Sequence, residues 1–324
     1  MPNRMFKDSW EKLVFDEDLK GELLWTVTNF LQISRKPGYT RRMNPLVLLH
    51  GPPGTGKTTL CQGLAQKISI RLKSTYSTTK LIQIKTASLL SRYYSESAKQ
   101  VEEIFDTIES ICLREVKEFI CVLIDEIEGI ASSRSLGVTH GEAQDSLRAT
   151  NALLSGLDRV RHYPNIIILS TSNMIDCLDT AFTDRCSIQF VGAPAFSSQY
   201  TILRNCFLKM MNQGVISYGM AECVNPKHII PPFREANLYL VLNKDDPGTK
   251  LFNILQLQNS DGCSRSQGGI SGRKLAQLLE QAIMRYLRDE ECSLEMAFDF
   301  LKRIVVTERS REEKRMASET EVEG

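Results

Sequence analysis

The chemistry in this sequence begins at Gly51. The run Gly51, Pro52, Pro53, Gly54, Thr55, Gly56, Lys57, Thr58 fits the spacing G-x-x-x-x-G-K-[ST]. Glycines at that spacing let backbone N–H groups turn inward around phosphate oxygens, and a helix starting at the lysine adds its positive end. In such a loop Lys57 reaches the β- and γ-phosphates and the Thr58 hydroxyl ligates Mg²⁺. Further on, Asp125 and Glu126 close the apolar run FICVLIDE. An acidic residue at a strand end beside a phosphate loop is placed to hold Mg²⁺, and the carboxylate next to it can activate a water as a general base. The pairing favours hydrolysis of a nucleotide over transfer to another substrate.

Three more polar groups follow in order. Thr171, Ser172 and Asn173 end the run IIILSTSN, where the Asn173 amide can orient a water near a γ-phosphate. Arg185 lies 12 residues later in LDTAFTDRC. It can neutralise transition-state charge in a neighbouring subunit, or simply form a surface ion pair with Asp184. Arg273, in Ser271–Gly272–Arg273, opens a helix and can contact phosphate, or sit plainly on the surface. Arg92, Tyr93 and Tyr94 stand in a polar loop between a strand and a helix. In a ring they can face a central channel and grip an extended polypeptide; otherwise they pack locally. The polar segment 132–145 is read as a second channel loop or an ordinary surface loop.

These groups need strands and helices to hold them. Leu46–Leu49, Leu81–Ile84, Phe119–Ile124, Ile166–Leu169 and Ser187–Val191 read as five short strands. Helical spacing appears in 8–34, after Lys57, in Val101–Ile111 with Ser95 or Ser97 as cap, and in Leu147–Val160 with Asp145 or Ser146 as cap. Strands alternating with helices predict a parallel α/β sheet covered on both faces. Beyond Pro194 the pattern turns helical, in 198–213, 272–289 and 293–306, with an irregular stretch over 214–270. The expected division is a nucleotide-binding part over 1–194, a helical lid over 195–306, and a charged, frayed tail over 307–324.

Composition sets outer bounds. The chain has 324 residues, 40 Lys plus Arg against 39 Asp plus Glu, and 42% hydrophobic residues. That supports a sizeable core and gives no overall pull toward nucleic acid or membrane. No stretch approaches the roughly 20 apolar residues of a membrane span. Nine cysteines without a CxxC pair, and four histidines, show no zinc spacing. The expectation is a soluble intracellular protein with reduced thiols.

The full ordered set, from phosphate loop to SGR, resembles the AAA+ ATPases. The stretches LLHGPPGTGKTTLCQGLAQK, SLLSRYYSESAK, VLIDEIEGIASSR, ILSTSN and GGISGR are similar to the pachytene checkpoint, or thyroid-receptor-interacting, ATPase family. The resemblance implies a P-loop NTPase (AAA+) fold with a five-stranded parallel sheet and a small, mainly helical lid. It implies ATP and Mg²⁺ as cofactors, a homo-hexamer, and a HORMA-domain substrate with an adaptor. It implies meiotic and spindle checkpoint roles in the nucleus and cytoplasm, without direct nucleic-acid or membrane binding. Residue by residue it makes Gly51–Thr58 Walker A, Asp125 and Glu126 Walker B, Asn173 sensor 1, Arg185 the trans-acting arginine finger and Arg273 sensor 2. Tyr93 takes the place of the pore-loop aromatic, where that family has Trp followed by Phe. Family members carry a substrate-engaging domain ahead of the phosphate loop; here the loop starts at residue 51, so that domain is expected to be absent. A nucleic-acid motor or clamp loader, and an ATP-binding scaffold, are the competing readings.

Overall fold

The structure is a computed structural model and describes residues 1–36, 38, 43–86, 89, 97–114, 117–132, 140–218, 229–239, 246–259 and 270–322. The chain divides into two compact units, Met1–Gly192 and Ala193–Gly324.

In the first unit five parallel strands form one sheet: β1 (Leu46–His50), β2 (Thr78–Lys85), β3 (Glu118–Asp125), β4 (Ile166–Ser172) and β5 (Ser187–Phe190). Their order is β2-β3-β4-β1-β5. The long apolar runs explain the centre: β3 and β4 are buried along nearly their whole length, as strands with both faces covered must be. Alternate residues serve opposite faces. Leu46, Leu48, Ile120, Val122, Ile124, Ile166 and Ile168 share one core with the helices α4 (Ser97–Arg114) and α5 (His140–Val160), through Phe105, Ile108, Leu153 and Leu157. Val47, Leu49, Cys121, Leu123, Ile167 and Leu169 face the other core, filled by α2 (Leu19–Ser34) and α3 (Lys57–Arg71). Each fully buried Leu, Ile, Val or Phe contributes about 1.5–3 kcal/mol. The period-2 alternation therefore anchors a helical layer on each side.

Two spacings set the helix contacts. Gly156 of α5 has room for no side chain: a Cβ there would lie 2.3 Å from Phe105 Cγ of α4. A short helix, α1 (Ser9–Lys12), precedes α2, and Lys20 ties the two by donating to the carbonyls of Trp10 and Leu13. The entry segment over 8–34 is thus two helices rather than one.

The second unit contains α7 (Phe196–Asn212), α8 (Phe233–Tyr239), α9 (Pro247–Asn259), α10 (Gly272–Tyr286) and α11 (Leu294–Val322). A two-stranded parallel pair, Ile216–Ser217 with Cys292–Ser293, completes its described elements. Its core gathers Tyr200, Leu203, Phe207, Leu251, Leu275, Leu279, Phe298 and Leu301.

Three expectations change. Helix α5 starts at His140, so Asp145 and Ser146 lie inside it rather than capping it, and 140–145 is helix rather than a channel or surface loop, while 133–139 lie outside the described residues. The irregular stretch 214–270 holds two helices, α8 and α9. The segment read as a frayed tail continues α11 to Val322. An ion pair of Lys274 with Glu308 at 3.0 Å and a hydrogen bond from Arg309 to the Leu257 carbonyl at 3.2 Å hold its first turns. No described helix is long and apolar enough to cross a membrane.

Candidate functional site

The strand order places β4 between β1 and β3, so the carboxyl ends of three adjacent strands converge. Register fixes the alignment: His50 pairs with Ser172 and Ile124 with Ser170. The loop after β1, the acidic pair at the end of β3 and the polar tip of β4 are therefore neighbours, at the strand ends where open α/β sheets bind ligands.

The loop's backbone is shaped for an anion. Gly51 has φ 143°, and a Cβ there would meet the Val191 carbonyl oxygen at 2.3 Å. Gly56 starts α3 in the left-handed region, φ 98°, with no side chain capping the helix. The first N–H groups of α3 are thus left to a ligand, at the positive end of a 15-residue helix. Buried Lys57 donates from Nζ to the Gly51 and Pro52 carbonyls, each at 2.8 Å, which draws the ammonium into the mouth of the loop. Thr55 closes the turn by donating to the Pro52 carbonyl. A triphosphate fits this set of donors.

Below the loop the Thr58 hydroxyl donates to Asp125 Oδ1 at 2.8 Å. The same oxygen accepts the Thr171 hydroxyl. One hydroxyl and one carboxylate at hydrogen-bond distance beside a phosphate cradle fit Mg²⁺, which keeps waters and substrate oxygens as its remaining ligands. Among the described residues no group of three His, Cys, Asp or Glu could hold a metal by itself.

Glu126 adopts φ 58° and ψ 53°, the left-handed region that a non-glycine residue enters at a cost. Its N–H donates to Thr171 Oγ1 at 3.1 Å. The buried Thr86 hydroxyl lies 3.1 Å from the Asp125 carbonyl and 2.7 Å from that of Glu126. These contacts over-determine the turn and leave the Glu126 side chain exposed at the strand end. Asn173 is half-buried, and its N–H donates to Glu128 Oε1 at 3.1 Å.

Arg185 stands elsewhere. Ser187 pairs with Val47, so Arg185 lies level with the start of β1, at the opposite end of the sheet from Gly51. The five residues of β1 separate them by roughly 17 Å. Arg185 pairs with Asp158 rather than Asp184. Nε donates to Asp158 Oδ1 at 3.2 Å, Nη2 to Oδ2 at 3.0 Å and Nη1 to the Ala181 carbonyl at 2.6 Å. That guanidinium holds the Asp158 carboxyl below the usual aspartate range.

A family model for the ATPase family associated with various cellular activities (AAA) matches residues 47–192. A pachytene checkpoint protein 2 homolog from Arabidopsis thaliana is 41% identical over 86% of this chain and 59% of its own length. The solved structure of C. elegans PCH-2 is 32% identical, with a TM-score of 0.77 over 95% of this chain and 74% of that one. The chain belongs to the pachytene checkpoint protein 2 family of AAA ATPases. The E. coli MS115-1 Trip13 complex with HORMA and CdnC shares the fold, at TM-score 0.68 and 18% identity over 94% of this chain and 93% of that one. The chain spans 47% and 59% of the lengths of two relatives, from Oryza sativa subsp. indica and Arabidopsis thaliana.

The structure brings together Gly51–Thr58, Asp125, Glu126 and Asn173, and sets Arg185 apart. Arg273 belongs to the second unit, exposed in the first turn of α10, which Ser271 caps by accepting the Lys274 N–H. Arg92, Tyr93 and Tyr94 lie outside the described residues. Sequence reasoning gave no role to Thr86, Glu128 or Asp158, nor to the Thr171 hydroxyl. Two signals pointed their way: a threonine at the end of a strand neighbouring β3, and a third acidic residue close behind the first two. Burial pushes the Cys112 and Cys121 thiols up to about 12, so they stay protonated and inert.

Proposed function

We propose that this chain is the ATP-hydrolysing engine of a homo-hexameric ring that remodels HORMA-domain proteins. The observation that carries the nucleotide part is the meeting of Thr58 and Asp125 at 2.8 Å beneath the Gly51–Lys57 cradle. Lys57 exchanges its carbonyl partners for phosphate oxygens and, with the first N–H groups of α3, neutralises the triphosphate. Thr58 and Asp125 would hold Mg²⁺, and the bound ion would supply Lewis-acid polarisation of the terminal phosphoryl group. Glu126 accepts a proton from the attacking water, and Asn173 orients that water from the tip of β4.

Arg185 is too far from its own phosphate loop to serve it. It therefore stabilises transition-state charge in the site of a neighbouring copy. Arg273 reads the phosphates from the second unit. Arg92, Tyr93 and Tyr94 line the ring's channel and grip the substrate chain.

The HORMA substrate and its adaptor rest on family membership and on likeness to the Trip13 complex that contains a HORMA protein. Meiotic and spindle checkpoint work in nucleus and cytoplasm follows from the same kinship. The deciding experiment is Glu126→Gln in the full chain. It should bind ATP as the parent does and release phosphate at least a hundredfold more slowly. Turnover equal to the parent's would reject the assigned roles.

A further inference from the structure

We propose that Asp158 is a positioning residue that sets the Arg185 guanidinium for the triphosphate of a neighbouring copy. The inference rests on the trans role given to Arg185 above. A guanidinium carries five N–H donors in a rigid plane. Three are committed: two to the Asp158 carboxylate and one to the Ala181 carbonyl. Two, one on Nη1 and one on Nη2, have no partner among the described residues, enough to meet two phosphate oxygens.

A bidentate contact fixes both the plane and its rotation, which a single hydrogen bond cannot do. The anchor stands on a closely packed helix. Asp158 lies in the last turn of α5, and two residues earlier Gly156 is pressed against Phe105 of α4. Ala181, the second anchor, sits in α6 (Thr180–Thr183), whose first turn is capped by the Asp179 carboxylate. Arg185 thus has supports on two separate elements, one from each.

The pair also opens onto space. Asn44, Asp158, Arg161, His162, Asp184 and Arg185 line a cavity of about 520 Å³ at this end of the sheet. A group presented by a second chain can enter it and find Arg185 already aimed. In the free chain Arg185 side-chain exposure is 30%, so the contact with Asp158 coexists with access to its outer edge.

The test compares Asp158→Asn, Asp158→Glu, Arg185→Ala and the double variant Asp158→Asn/Arg185→Ala in steady-state ATP hydrolysis. Asp158→Asn should lower kcat about tenfold to a hundredfold with KM for ATP within about twofold, because a displaced guanidinium costs transition-state contact and not ground-state binding. Asp158→Glu, which keeps a bidentate acceptor, should recover part of that loss. In the double variant the Asp158 change should add nothing to the Arg185→Ala defect. Unchanged kcat in Asp158→Asn overturns the inference. So does a raised kcat, which would make Asp158 a latch, and so does a full additional loss in the double variant, which would make its role merely structural. Parental turnover in Arg185→Ala instead defeats the trans reading on which the inference stands.

Discussion

The Thr171 hydroxyl donates to Asp125 Oδ1 at 2.5 Å and accepts the backbone N–H that follows Asp125, that of Glu126, at 3.1 Å. One side chain on β4 thereby orients both carboxylate-bearing residues at the end of β3. Because Thr58 donates to the same Oδ1, the loop helix and two strands are tied at one atom.

Thr171→Ala removes a donor from a carboxylate and an acceptor from a backbone N–H together. The expected cost is about 1–3 kcal/mol in denaturant unfolding, with ATP turnover reduced at least tenfold. Thr171→Ser keeps the hydroxyl and should retain most of both. Equal losses in the two variants would show that the methyl group, not the hydroxyl, matters.

Glu128 offers a finer separation. Oε1 accepts the Asn173 N–H, while Oε2 is buried and has no hydrogen-bond partner among the described residues. Glu128→Gln keeps an oxygen acceptor without the negative charge, so its stability should stay within about 1 kcal/mol of the parent's. Glu128→Ala releases the Asn173 backbone and should lower kcat while leaving ATP affinity near the parent value. Equilibrium ATP binding and phosphate release, measured side by side, distinguish the two variants.

Gly156→Ala tests the packing behind Asp158. A new Cβ 2.3 Å from Phe105 Cγ forces the two helices apart or the ring off its rotamer. Overpacking of this kind costs about 1–3 kcal/mol. A lowered thermal midpoint that Phe105→Leu partly restores in the double variant would confirm the contact.

His50 gives a pH dependence. Its ring lies 5.2 Å from that of Phe190, at the end of β1. Burial, the largest cause, depresses its pKa below the usual 6.5; Asp176 opposes the shift and Lys57 adds to it. The folded value lies below the unfolded one, so protons favour the unfolded chain. The stability from the neutral ring is complete above about pH 6.5 and falls as the pH drops below it toward the folded value. Thermal midpoints should therefore decline more between pH 7 and pH 5 in the parent than in His50→Phe. Parallel declines would remove His50 as the cause.

The central strands could be read in the sequence because burial on both faces demands continuous apolar runs, and FICVLI and IIIL are such runs. The phosphate loop could be read because its chemistry depends on local spacing. The start of α5 could not. Apolar periodicity begins only at Leu147, whereas the helix begins at His140 through Glu142, Ala143 and Gln144, residues that favour helix without marking a face. Thr86, Thr171 and Asp158 escaped for another reason. Each acts on a partner 27 to 46 residues away, across strands or from a helix to a loop, and no local spacing encodes such a pairing.

All five strands of the large sheet run in one direction, so its two rims are chemically different: phosphate-gripping at one, guanidinium-bearing at the other. Under the role proposed for Arg185, each chain carries both halves of a two-part reagent held too far apart to combine. The concentration of the chain then enters the rate law as though it were a reactant, and dilution alone is a way to switch the catalyst off.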